Sequence, residues 1–291
     1  MPSPRRSKTF NEAEPVLAPR LSSSVGVAFQ ANNDGFPVKQ ISSQTTPLVS
    51  AIPTTTCQVV LITGCSKGGI GHALCIEFAK KGCRVFGTVR RMEALADFQG
   101  IEVSPGTLEM LPMDVTERES IKRAVRAVMG RAGRIDILVN NAGIGLCGGV
   151  VETELDQLKA VFDTNVIGLV SVSQEVVPYM AERGQGKIIN LGSMLAYVSF
   201  PWSGAYCASK SAVRAITSSM RMELAPLGIQ VVLVSAGSVK SNLNENMYRR
   251  AALSPPKKSS IFSKLHGKAP KPNGQSTGTE TGLLMGRNET L

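Results

Sequence analysis

No apolar stretch in this 291-residue chain approaches the roughly 20 residues that a helix needs to cross a bilayer, so the sequence predicts no transmembrane segment. Metal-ligand spacing is lacking as well. The six cysteines, Cys57, Cys65, Cys75, Cys83, Cys147 and Cys207, form no such pattern. Five of them fall in expected strands, helices or a glycine-rich loop, which reads as reduced thiols in a reducing compartment. Residues 1–56 lack both sustained periodicity and the apolar core of a secretory signal; their Ser, Pro, Thr and Asn content reads as a disordered or targeting extension. A transit peptide, and with it a plastid location, stays open, although Glu12, Glu14 and Asp34 count against it. The middle of the chain also lacks strong charge. Of the net +10, residues 1–50 carry +2, residues 51–248 only +2 and residues 249–291 the remaining +6. This distribution speaks against a nucleic-acid-binding domain and makes the basicity a property of the tails, which are either solvated or held electrostatically at an anionic membrane as a peripheral contact.

The 43% hydrophobic content suffices for one α/β core. Apolar runs near 58–63, 84–88, 107–112, 135–139, 187–191 and 229–234 read as strands, with helical patterns between most of them. Such alternation predicts βαβ units in a single doubly wound, Rossmann-like parallel sheet with helices on both faces, spanning residues 57–253. Val231 to Val234 is the continuous apolar run expected of a strand buried on both sides. Residues 241–253 read as a short lid helix ended by Pro255, and 254–291 as a basic disordered tail.

The first strand leads into Thr63-Gly64-Cys65-Ser66-Lys67-Gly68-Gly69-Ile70-Gly71 and then a helical pattern that Gly82 should stop. Glycines between a strand and a helix permit a tight turn and bring backbone N–H groups close to a pyrophosphate at the helix N-terminus. Farther along, Tyr206 and Lys210 stand one helical turn apart, with Ser193 upstream. A phenol is a weak acid near pH 7, so its use in proton transfer requires a neighbour that stabilises the anion, and a lysine at i+4 supplies one. Ser193 could hold a substrate oxygen. The plain alternatives are a solvated helix face for the Tyr/Lys pair and a strand-end turn for the serine.

Taken in order, the Thr63–Gly71 loop, Asp114 after a strand, Asn140-Asn141-Ala142-Gly143, Asn165, Ser193, Tyr206 and Lys210 resemble the classical short-chain dehydrogenase/reductase family. The resemblance implies a nicotinamide dinucleotide held by Thr63, Gly64, Ser66, Lys67, Gly69, Ile70 and Gly71. It implies an adenine pocket at Asp114 and Val115, with Asn141, Ala142 and Gly143 bordering the cofactor. It makes Tyr206 the general acid, Lys210 the group that lowers the tyrosine pKa and binds the nicotinamide ribose, Ser193 the orienter of the substrate oxygen, and Asn165 the holder of a water behind Lys210. Asp114 has a second reading as a helix cap. Family members often form homo-oligomers through the helices around 154–181 and 205–226. The family also has a further helix and a final strand where this sequence loses its pattern, so the final strand is expected to be missing. Ala236 stands where the family has a proline.

The cofactor loop has one residue more than the usual Thr-Gly-x-x-x-Gly-x-Gly, a form that resembles a subgroup containing 1-acyldihydroxyacetone-phosphate reductases. After the second strand comes Val89-Arg90-Arg91 rather than a carboxylate. Guanidiniums suit a ribose 2′-phosphate, and Lys67 adds a cation, so the sequence predicts NADP(H) over NAD(H). Met194, Leu195, Tyr197, Val198, Phe200, Pro201 and Trp202 suggest an apolar wall for a lipid-like ketone, with a core or interface role as the other reading. Expectation therefore centres on reduction of an acylated dihydroxyacetone phosphate, in the cytoplasm or at endoplasmic reticulum or lipid droplets. A steroid, retinoid or other carbonyl reductase of the same branch is the second reading, and a truncated, non-catalytic nucleotide- or partner-binding protein is a third of another class.

Overall fold

The computed structural model describes residues 57–247 except 92, 95–97, 99, 100 and 244. The expected extension at 1–56, the tail at 254–291 and any final strand lie outside the described residues. Six strands form one sheet: β1 (Val59–Ile62), β2 (Arg84–Val89), β3 (Thr107–Pro112), β4 (Ile137–Asn140), β5 (Gly186–Leu191) and β6 (Ile229–Val234). Their spatial order is β3-β2-β1-β4-β5-β6, and every neighbouring pair is parallel. The strand positions agree with the sequence reading to within one or two residues at each end.

Parallel strands need crossovers, and five helices are their main elements: α1 (Ile70–Lys80), α2 (Arg118–Ala132), α3 (Leu155–Phe162), α4 (Gly168–Glu182) and α5 (Gly204–Leu224). Gly82, at φ +85°, turns the chain out of α1 as expected, and its N–H bonds the Ala79 carbonyl at 2.9 Å. Gly133 ends α2 in the same left-handed conformation. Between α3 and α4 the backbone widens into a π-helical turn, Asp163–Ile167, which carries Asn165.

A core lies on each face of the sheet. On one, Leu61, Phe86, Leu138 and Ile188 pack against Val125 and Val128 of α2 and Val172 and Val176 of α4. On the other, Val60, Ile62, Val85 and Val139 pack against Cys75 and Ala79 of α1 and against Phe98. Each large apolar side chain removed from water contributes about 1.5–3 kcal/mol, so two such clusters fix the sheet between its helices. The strands differ by position. All four residues of β1 are buried, whereas in β6 only Ile229 and Val231 are, and Val232 and Val234 keep 38% and 42% of their surface exposed. Among the described residues β6 is thus an outer strand covered on one face.

Candidate active site

In an open parallel sheet the crevice lies at the carboxyl ends of the strands where the crossovers change direction, here between β1 and β4. The loop after β1 and the turn after β4 are stitched together across it. Thr63 Oγ1 accepts from the backbone N–H groups of Asn141 and Ala142, both at 3.0 Å, and Asn141 Nδ2 donates to the carbonyls of Thr63 at 2.8 Å and Gly64 at 2.9 Å. Close approach requires glycine on the loop side. Gly64 sits at φ +72°, and a Cβ there would lie 2.6 Å from Ala142 Cα; one on Gly71 would lie 2.5 Å from Asn141 Nδ2. Thr63 and Asn141 thereby act first as loop anchors. Cys65 points inward, and burial together with Cys75 pushes its thiol pKa well up, which fits a buried packing group.

The loop ends at Gly69, the N-cap of α1, which has no side chain to cap the helix, and the first turn carries no acidic residue. First-turn N–H groups left without a capping side chain make a site for an anion. Arg90 and Arg91 are exposed directly beyond β2, on the loop's β2 side, and Lys67 is exposed within the loop. A glycine-walled helix N-terminus with cations on one side fits a dinucleotide.

Beyond β3, Asp114 is not the N-cap of α2 that its second sequence reading makes it. Its Oδ1 accepts from Thr116 N at 2.9 Å and Thr116 Oγ1 at 2.7 Å, forming a local turn, while Glu117 is the N-cap of α2. Val115 is buried in the core, and a Cβ on Gly168 would lie 2.8 Å from its Cγ2, so Val115 seats the start of α4.

The opposite wall is formed by β5 and α5. Ser193 follows β5, is buried, and its Oγ accepts from Leu195 N at 3.1 Å. Tyr206 and Lys210 are both buried, which sets aside the solvated-face reading. Lys210 Nζ donates to the Leu191 carbonyl at 2.7 Å and stands 5.8 Å from the centre of the Tyr206 ring. Burial lowers the Lys210 pKa to about 8. The expected acidification of the tyrosine is not present in this arrangement: burial raises its pKa, and the hydrogen bond from Ser193 opposes that only in part. The physical reason is desolvation, which disfavours the phenolate and also weakens the charge on the lysine meant to stabilise it.

Asn165 is a strut. Its Oδ1 accepts from Ile144 N at 2.8 Å, and its Nδ2 donates to Ile144 O at 2.9 Å and to Ser209 Oγ at 3.0 Å. The π-turn of α3–α4, the turn after β4 and α5 are joined at this one amide. Gly143 borders it, since a Cβ there would come 3.3 Å from Asn165 Oδ1 and 3.8 Å from Lys210 Nζ. Sequence reasoning missed Ser209 and the Leu191 carbonyl. A small polar residue directly before Lys210 on the buried face of α5 was the available signal for the first; the second is a backbone atom and left none. Met194, Tyr197, Val198 and Phe200 are exposed beside this wall, so the core reading of the apolar stretch does not hold for them. Ala236, in place of the expected proline, has its carbonyl fixed by Met194 N at 2.9 Å.

A family model described as short chain dehydrogenase matches residues 58–252. The chain belongs to that family. Among its relatives in the family, the short-chain dehydrogenase cctT of Talaromyces islandicus is 38% identical over 65% of this chain and 65% of its own length. The NADPH-dependent 1-acyldihydroxyacetone phosphate reductase of Schizosaccharomyces pombe is 33% identical over 63% of this chain and 60% of its own length. The chain thus spans less than two thirds of either relative. A short-chain dehydrogenase structure from Streptomyces avermitilis superposes with a TM-score of 0.60 at 36% identity, covering 65% of this chain and 68% of that one. The single parallel sheet of this family is the fold described above.

Proposed function

We propose that the chain is an NADP(H)-dependent oxidoreductase that reduces the ketone of a hydrophobic substrate, 1-acyldihydroxyacetone phosphate to 1-acylglycerol 3-phosphate being the favoured reaction. The observation that carries the proposal is the set of buried polar side chains Ser193, Tyr206 and Lys210 beyond β5, in the same sheet whose β1 leads into an uncapped, glycine-walled helix N-terminus. In this reading Thr63 to Gly71, the Asn141–Gly143 turn and Asp114 hold the cofactor, with Arg90, Arg91 and Lys67 on its 2′-phosphate. When bound, NADPH supplies hydride to the carbonyl carbon. Ser193 donates a hydrogen bond to the carbonyl oxygen and holds it at the phenol. Tyr206 gives its proton to that oxygen as the alcohol forms, and a positioned general acid contributes about 100- to 10,000-fold in rate. Lys210, protonated below pH about 8, stabilises the phenolate left behind. Asn165 keeps Ile144 and α5 in place around the lysine.

Support for a lipid-like substrate comes from the exposed apolar side chains of Met194, Tyr197, Val198 and Phe200 in the stretch that follows Ser193, and from similarity to the S. pombe reductase. The test uses the full chain in two steps. Saturating NADPH should raise the thermal midpoint by mass action, about 2.7 kcal/mol at a hundred times the Kd, and the acyl-ketone phosphate should then consume NADPH. Turnover of a steroid or retinal but not of the ketone phosphate would select the second substrate reading. A midpoint indifferent to NADPH would select the non-catalytic one.

A further inference from the structure

The segment after β6 crosses the crevice. Its residues 242, 243 and 245–247 are helical, and it is tied down at both ends. At one end Asn242 Nδ2 donates to the Lys67 carbonyl at 2.8 Å, and the Asn242 backbone N–H donates to the Gly68 carbonyl at 3.3 Å. At the other end Met247 covers Gly145, where a Cβ would stand 2.9 Å from its Sδ. Gly145 follows the Asn141–Gly143 turn, so the segment runs from the glycine loop to the turn after β4.

The contact at Asn242 falls on the enlarged part of the glycine loop. Gly68 lies where the loop has its additional residue, at φ +76°, and a Cβ there would come 2.7 Å from Asn242 Nδ2 and 2.8 Å from its Oδ1. Glycine therefore meets two demands at once, a left-handed backbone and room for the asparagine. Asn242 takes both carbonyls of the Lys67–Gly68 turn. It is exposed and belongs to neither hydrophobic core, so its side chain has little to do with holding the fold together.

We propose that Asn242 is a positioning residue: a latch that ties the crossing segment to the enlarged glycine loop and sets how long NADP(H) remains in the crevice. This rests on the cofactor reading above. Entry and release of a dinucleotide lying over the glycine loop and the turn after β4, beneath the segment, require the segment to lift. Lifting it breaks the Asn242 bonds, and loss of one such bond changes a rate by about threefold to tenfold. The latch also fixes the turn that bears Lys67, the cation assigned to the 2′-phosphate.

The test compares the full-length wild-type chain with Asn242→Ala and Asn242→Asp. Dissociation of NADPH is followed by stopped-flow fluorescence on displacement with excess NADP⁺, and the thermal midpoint of each cofactor-free protein is recorded. Neither replacement can donate from its side chain to the Lys67 carbonyl, so both should release NADPH about threefold to tenfold faster. Their cofactor-free midpoints should stay within about 2 °C of wild type. Equal dissociation rates in the three proteins would overturn the latch while leaving the cofactor assignment intact. Wild type that binds no NADPH would overturn the cofactor reading, and the latch with it. A fall in the cofactor-free midpoint large enough to account for the whole change in NADPH affinity would make Asn242 a purely structural residue and would also overturn the proposal.

Discussion

At the carboxyl end of β1 the crevice wall is made of backbone, with Gly64 and Gly71 packed so closely on Ala142 and Asn141 that no Cβ fits. At the carboxyl end of β5 it is made of buried polar side chains, Ser193, Tyr206 and Lys210. The two walls face different tasks. A polyanion is met by many N–H groups at close range, which side chains would hold away; a proton must be passed by one atom of suitable acidity, which backbone cannot supply. It follows that the first wall is broken by adding an atom and the second by removing one. The largest effect is expected on the second. Tyr206→Phe removes the acidic proton and leaves the ring, so turnover should fall about 100- to 10,000-fold in steady-state assays while NADPH binding, read by fluorescence titration, stays near wild type. A variant that keeps its turnover would remove Tyr206 from the chemistry.

On the backbone wall the matching change is Gly71→Ala. The added methyl would meet Asn141 Nδ2 at 2.5 Å and the Gly64 carbonyl at 2.7 Å, and these are the groups that hold the loop to the turn after β4. Overpacking of this kind costs about 1–3 kcal/mol. Chemical denaturation should show that loss together with weaker NADPH binding, whereas Gly130→Ala, at an α2 position with open space around it, should show neither. Equal behaviour of the two variants would mean that the loop has slack, and the contrast between the walls would fail.

The two walls also differ in how much of them the sequence announces. The glycine loop is read directly because its function is local: a strand, a turn that needs left-handed residues and a helix start follow one another in the chain. The sheet is legible for a similar reason, since the parallel strands buried on both faces appear as uninterrupted apolar runs such as Val59 to Ile62. The Tyr206–Lys210 pair is local too, and both residues stand where their spacing places them. Its electrostatics are not. Whether Lys210 acidifies Tyr206 depends on how deeply both are buried and on where the ammonium points, and it points at Leu191 O, on a strand 19 residues away. Asn165 and Val115 were singled out from the sequence, but their hydrogen-bond and packing partners, Ile144, Ser209 and Gly168, come from other elements brought in by packing. Spacing along the chain therefore locates the chemistry, whereas the groups that tune it are set by tertiary contacts.

The smallest effect is expected where the glycine wall gives way to side chains, at Arg90 and Arg91. Both guanidiniums are exposed, so each ion pair with a ribose 2′-phosphate would be made in screened surroundings and be worth up to about 1 kcal/mol. Replacing both with alanine should weaken NADPH on the order of tenfold. NADH, which shares every other contact and lacks the phosphate, should bind unchanged, and added salt should narrow the wild-type preference for the same reason. Titration of both dinucleotides into the double variant at two ionic strengths separates the outcomes. Equal losses for NADPH and NADH would show that the arginines act on the loop or the fold and not on the phosphate. Selectivity would then have to reside in Lys67, inside the glycine loop.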